Sequence, residues 1–389
     1  MSEFQQYQFR KIGEPLSAEA KKEISTWSSR TIPSSHSATF VYHYGDFPKD
    51  EQYVVEKYFD MMLYVANWGT RRLLYRLPKD IVDLKAVKAY TYQDDYNSIE
   101  LIKKDTCYLL DITISEEGGD DGWIGDNEYD LGDFIRLRDD IVAGDYRGLY
   151  LLCLNFQYRA TANEYNGESD EDEYFDEDGF ESFTLPDVPP AMQKLLPVHQ
   201  ALADFFDMDV DLYTVAQKLG ENIESTTPDY ENLLAKLSDK QKNDFLKRLL
   251  SNESQLDIKL KKQLETFLPE HQNNETKFSS PTRLVIQKMV DETCKQRLSR
   301  LEAEEKATHI QKMQKLAPQK EKLWKEVKEE LELKRGSAYD RATRLLVDLK
   351  ELAVYENDLE LFSIKLANIL AQYGKSVAIR SRFQQAKLL

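Results

Sequence analysis

His36 and His43 lie seven residues apart around a β-rich run and close to Asp46, a set that could supply a general base or two metal ligands. Strand residues an odd number apart point to opposite faces, so the two share a site only if His36 belongs to the preceding loop. A structural role is the plainer reading. The run Gly118-Gly119-Asp120-Asp121-Gly122-Trp123-Ile124-Gly125 has the glycines of a phosphate loop, but its acids would repel phosphate. Trp27-Ser28-Ser29-Arg30 and the trio Arg71, Arg72 and Arg76 could receive an anion or a partner carboxylate, with surface and core-edge roles as the plainer alternative.

Carboxylates cluster twice, at Glu116–Asp130 and at Glu168–Pro190, so calcium is worth testing. An EF-hand loop needs oxygen ligands at positions 1 and 12 around a glycine at position 6. Taking Gly179 as that glycine puts Tyr174 and Leu185 at the two ends, and the ligand set fails. The sequence contains no GxxxxGK[ST], GxSxG, HExxH or CxxC motif. No catalytic residue, cofactor site or metal site is therefore assigned. The three cysteines, Cys107, Cys153 and Cys294, are an odd and sparse set that suits buried thiols in a reducing, cytoplasmic compartment.

The elements that would position these residues divide at the acidic stretch Glu168–Pro190, which holds ten carboxylates and no Lys or Arg. Such a composition cannot offset its ordering entropy and predicts a disordered connector. Tyr174, Phe175, Phe180 and Phe183 are interleaved with the acids, which suggests that the stretch can fold back on the basic end of the chain. Before it, residues 1–160 read as an α+β domain with about four strands. Alternating or apolar runs mark strands at 38–44, 72–77, 99–103 and 107–115, the last two joined as a hairpin. Residues up to Ile32 read as a helix-prone leader with Ser17 as a cap, and 50–67 reads as one amphipathic helix.

After the connector (161–190) the pattern is all helix: a short antiparallel stack over 191–269, a linker and long charged helix over 270–317, and a helical hairpin over 318–389. In the stack, Thr227 and Pro228 open one helix. Ser238 with Gln241 forms a capping box that opens the next, which carries Phe245, Leu246, Leu249 and Leu250. In the hairpin, Tyr339, Ala342, Leu345, Leu346, Leu349 and Leu352 mark one helix, and Leu359, Phe362, Leu366, Ile369 and Tyr373 mark its return.

Ala338-Tyr339-Asp340-Arg341-Ala342, with Leu345, Leu346, Leu349, Phe362, Leu366 and Tyr373, resembles the tetratricopeptide-like helical tail of bacterial SWIM zinc-finger proteins. With Leu137-Arg138-Asp139-Asp140 and Gly144-Asp145-Tyr146-Arg147, the same tail is similar to an uncharacterised bacterial family of two-part cytoplasmic proteins. The clustered Cys and His ligands of the SWIM motif have no counterpart here, so zinc and nucleic-acid binding do not carry over. The resemblance implies a protein-docking surface, with Trp324, Tyr339, Phe362, Tyr373, Arg380 and Arg382 as its candidate residues.

A formal net charge of -17 disfavours nucleic-acid binding by the chain as a whole, and no run of eighteen apolar residues suggests a membrane span. The leading expectation is a non-enzymatic interaction or adaptor protein of the bacterial cytoplasm. The alternatives are an enzyme with its site in the α+β domain, near Trp123 or the His36–Asp46 strand, and nucleic-acid contact through Lys375, Arg380, Arg382 and Lys387.

Overall fold

The computed structural model describes residues 4–29, 31–115, 129–165, 185–220, 229–251, 253, 255–267 and 281–389. Most of the acidic connector, the loop holding Trp123, the Thr227-Pro228 helix start and most of the polar linker after 267 lie outside them. The chain divides into two compact units, Met1–Thr293 and Cys294–Leu389.

The first unit is built on a seven-stranded antiparallel sheet of β1 (Gln5–Arg10), β2 (Ser37–Tyr42), β3 (Met61–Ala66), β4 (Arg71–Pro78), β5 (Tyr92–Gln93), β6 (Asn97–Lys103) and β7 (Cys107–Ile114), in the order β2-β1-β3-β4-β7-β6-β5. The expected count of about four strands is thus corrected to seven. β1 fell in the stretch taken for a leader because Gln5-Gln6-Tyr7-Gln8-Phe9-Arg10 is polar. Its glutamines are instead paired: Tyr7 and Tyr64 donate to Gln5 Oε1 at 2.9 and 3.2 Å, and Gln8 donates to the Tyr129 carbonyl at 2.7 Å. β3 lies where the spacing predicts the second half of a helix over 50–67. It is buried on both faces, Met61, Leu63 and Val65 on one and Met62 on the other, and such a strand loses the period-two contrast that identifies it. β5 is two residues long and leaves no pattern.

Helices cover both faces. On one side lie α1 (Ala18–Ile24), capped by Ser17, and α2 (Glu51–Lys57), capped by Asp50. They enclose an aromatic core of Tyr7, Phe9, Phe40, Phe47, Tyr58 and Phe59. After α3 (Leu84–Lys88), the other face receives α4 (Ile135–Ala143), α5 (Arg147–Tyr165), α6 (Pro197–Phe205) and α7 (Val210–Leu219). Gly144 closes α4 at φ 91°, a left-handed conformation that glycine adopts without strain. Gly148 lets α5 approach α4, since a Cβ there would sit 2.3 Å from Leu137 Cδ1.

The short stack α8 (Tyr230–Ala235), α9 (Asp239–Leu250) and α10 (Leu256–Glu265) follows, with a small core of Leu233, Leu237 and Leu264. The long helix α11 (Arg283–Leu316) runs across the division between the units. The second unit adds α12 (Lys320–Glu332), α13 (Gly336–Tyr355), α14 (Leu359–Tyr373) and α15 (Val377–Gln385). Gly336 is the first residue of α13.

Candidate functional site

In the second unit each helix contributes one apolar stripe to a common core: Leu323, Trp324, Val327 and Leu331 from α12, Ala342, Leu346 and Leu349 from α13, Phe362, Leu366 and Ile369 from α14, and Ile379 and Phe383 from α15. The i, i+3, i+4 spacing of these residues puts them on one face of each helix. Trp324 and Phe362 therefore lie inside, their ring centroids 5.6 Å apart, and Lys365 covers the indole at 5.5 Å. Tyr339 and Tyr373 are half-buried against the same core. Burial and the neighbouring Glu332 raise the Tyr373 phenol above its ordinary pKa, and that phenol donates to Glu332 at 3.2 Å. Arg382 donates to Asp340 at 2.6 Å and to the Ala378 carbonyl at 3.1 Å. Of the six candidate residues, Arg380 is exposed and has no ion-pair partner among the described residues.

The Tyr373–Glu332 bond ties the end of α14 to the end of α12, and the Arg382–Asp340 pair ties α15 to the start of α13. Four helix ends thus meet. The two turns there carry Lys334, Arg335 and Lys375, all exposed and without ion-pair partners among the described residues. α13 and α15 both begin at this end with no side-chain cap, so their unsatisfied N–H groups add positive partial charge. Leu333 and Val377 stand exposed beside the cations, at 54% and 82%. A groove of ≈ 490 Å³ between α12 and α13 opens beside Leu333, lined also by Glu326, Glu329, Glu330, Arg341, Arg344 and Leu345. Arg341 is bound to Glu330 at 2.7 Å, whereas Arg344 has no such partner among the described residues.

Sequence reasoning named Lys375 and Arg380 here but missed Leu333, Lys334, Arg335 and Val377. The signal was available in Lys334-Arg335-Gly336 and Gly374-Lys375-Ser376, two basic turns that an antiparallel packing brings to one end. Lys387 follows the opposite end of α15, where its carbonyl accepts from Lys350 at 2.5 Å. The second unit holds 20 Lys and Arg against 14 Asp and Glu, a net +6, and the first unit 32 against 55, a net -23.

In the first unit the residues with chemical potential are engaged internally. His36 lies in the loop before β2 with Nε2 3.1 Å from the Gly13 carbonyl, and His43, past the strand's other end, packs on Phe4 with ring centroids 5.8 Å apart. Arg72 grips Asp111 at 2.6 and 2.5 Å, Arg76 reaches Asp60 at 3.4 Å, and Arg71 donates to the Phe205 carbonyl at 3.1 Å. Burial pushes the Cys153 thiol up to about 11 and raises Cys107 as well, the reverse of what a nucleophile needs. His199 is fully buried, and its Nδ1 accepts from the Leu196 N–H at 2.9 Å. Burial first, then the Arg147 charge, holds its pKa down to about 4. Among the described residues no three His, Cys, Asp or Glu side chains converge to hold a metal ion, and no helix is long and apolar enough to cross a membrane.

In comparisons with family models, curated proteins and solved structures, the chain matched none of them.

Proposed function

We propose that the protein is a non-enzymatic adaptor of the cytoplasm that docks an acidic partner protein through the basic end of its C-terminal helical unit. One observation carries this reading: Lys334, Arg335 and Lys375 lie together at one end of the unit, unspent on internal carboxylates and beside exposed Leu333 and Val377. Cations steer an acidic surface and fix its register, while desolvated apolar side chains hold it. The unpaired thiols of Cys107, Cys153 and Cys294 support a reducing compartment.

The test is capture from native lysate on the immobilised full-length chain, alongside a Lys334→Glu/Arg335→Glu/Lys375→Glu variant. A partner retained by the wild type at moderate salt should be lost from the variant. Retention of the same partners by the variant would overturn the assignment, and loss of capture after nuclease treatment would move it to nucleic acid.

A further inference from the structure

The capping box is formed as the sequence implied: Ser238 Oγ accepts from the Gln241 N–H at 3.3 Å, and Gln241 Oε1 accepts from the Ser238 N–H at 3.0 Å. It starts a strongly amphipathic helix, α9, yet none of the helix's twelve residues is buried. Its inner edge is held by Phe245, under the Arg248 guanidinium at 4.9 Å, and by Arg248 itself, which binds Glu253 at 2.7 and 2.8 Å. The rest of the apolar stripe faces outward, with Leu246, Leu249 and Leu250 exposed by 58%, 60% and 84%. Three leucines at i, i+3 and i+4 share one face over two successive turns, unlike a single surface leucine.

We infer that this face of α9 is a second docking site, for an amphipathic helix of a partner with leucine-type side chains on one face and carboxylates along its border. The helical spacing places Lys240 and Lys247 one above the other beside the leucines, both exposed and without ion-pair partners among the described residues. Asp244 lies on the same side of the helix as the two lysines, one turn from each, but is 3.6 Å from Arg248 and engaged there. An apolar strip with a basic border is complementary to an apolar strip with an acidic one. A second copy of the chain fits poorly, since a two-fold contact would bring Lys240 and Lys247 against themselves. An anionic bilayer would meet a chain of net charge -17.

The experiment is selection of a displayed random 16-residue peptide library on the full-length chain, followed by fluorescence anisotropy of a selected peptide. Peptides with apolar residues at i, i+3 and i+7 and flanking Asp or Glu should be enriched. Leu246→Glu/Leu249→Glu should weaken the selected peptide at least tenfold, and Lys240→Glu/Lys247→Glu should turn the preference from acidic to basic flanks. Both pairs alter exposed side chains and leave the Ser238 cap intact, and Leu249→Ser gives a second, uncharged check with unchanged far-ultraviolet circular dichroism. The inference is overturned if no helical peptide is enriched, or if both pairs leave affinity unaltered. It is equally overturned if the leucines instead drive concentration-dependent dimerisation, or binding to phosphatidylserine vesicles without peptide binding.

Discussion

In the N-terminal unit, the charges nearest the core are consumed where they stand. Arg72 closes on Asp111, Arg147 closes on Asp145 at 2.6 Å, and Arg138 donates to the Arg76 carbonyl at 3.0 Å. In the C-terminal unit the ion pairs lie outside, Lys320 with Glu356 at 2.7 Å and Lys365 with Glu321 at 2.7 Å, over a core that is almost entirely apolar. Exposed pairs of this kind contribute about 0–1 kcal/mol each, whereas a buried pair is costly to break from one side. Charge next to the core of the first unit thus specifies structure. The second unit keeps charge out of its core, and Lys334, Arg335 and Lys375 remain available for recognition.

The largest effects should separate these two uses. Trp324→Ala empties the centre of the C-terminal core and should cost that unit about 3–5 kcal/mol. Calorimetry should show its transition falling while that of the sheet unit stays in place; a shared fall would break the comparison. Arg72→Met leaves the buried Asp111 with only the Gln52 amide, at 3.2 Å, and should cost the sheet unit about 3–5 kcal/mol. Adding Asp111→Leu should restore most of that loss in a double-mutant cycle, and no recovery would mean that the pair's hydrogen bonds stabilise more than its burial costs.

His199 gives an effect of about 3 kcal/mol, from a pKa near 4 when folded and 6.5 when unfolded. Because the folded form resists protonation, its stability is complete above pH 6.5 and declines as pH falls toward 4. Arg147 and Arg136 oppose the proton and Asp145 favours it. The midpoint of urea melts should therefore fall with acid across that range. His199→Gln, which can still accept from the Leu196 N–H as a capping-box residue, should flatten the profile. The smallest effect belongs to Lys334→Glu/Arg335→Glu/Lys375→Glu, expected to shift stability by no more than about 0.5 kcal/mol per site in chemical denaturation. A larger loss would mean that these cations have a structural task.

Legibility in the sequence followed local contrast. β2, β4, β6 and β7 were readable because apolar and polar residues alternate or because apolar runs end at turns, as in Arg71–Pro78. β1 and β3 were not, since tertiary hydrogen bonds satisfy one and two-sided burial erases the pattern of the other. α13 and α14 were legible as helices, and the set that marked α14 is its buried side except for Leu359. Phe362, Leu366 and Ile369 go in while Leu359, Leu361 and Ile364 stay out, and both sets are apolar. Trp324 and Phe362 were candidates for an outer surface through the resemblance, and helix packing puts both in the core. The basic end was half legible, because cations in two separate turns become one patch only when the helices pack.

The most direct measurement is hydrogen–deuterium exchange of the full-length chain with and without its captured partner. Protection is expected at residues 333–341 and 374–382, with none in the strands 37–42 and 107–114. Protection confined to the sheet, with those two turns unchanged, would contradict docking through the basic end.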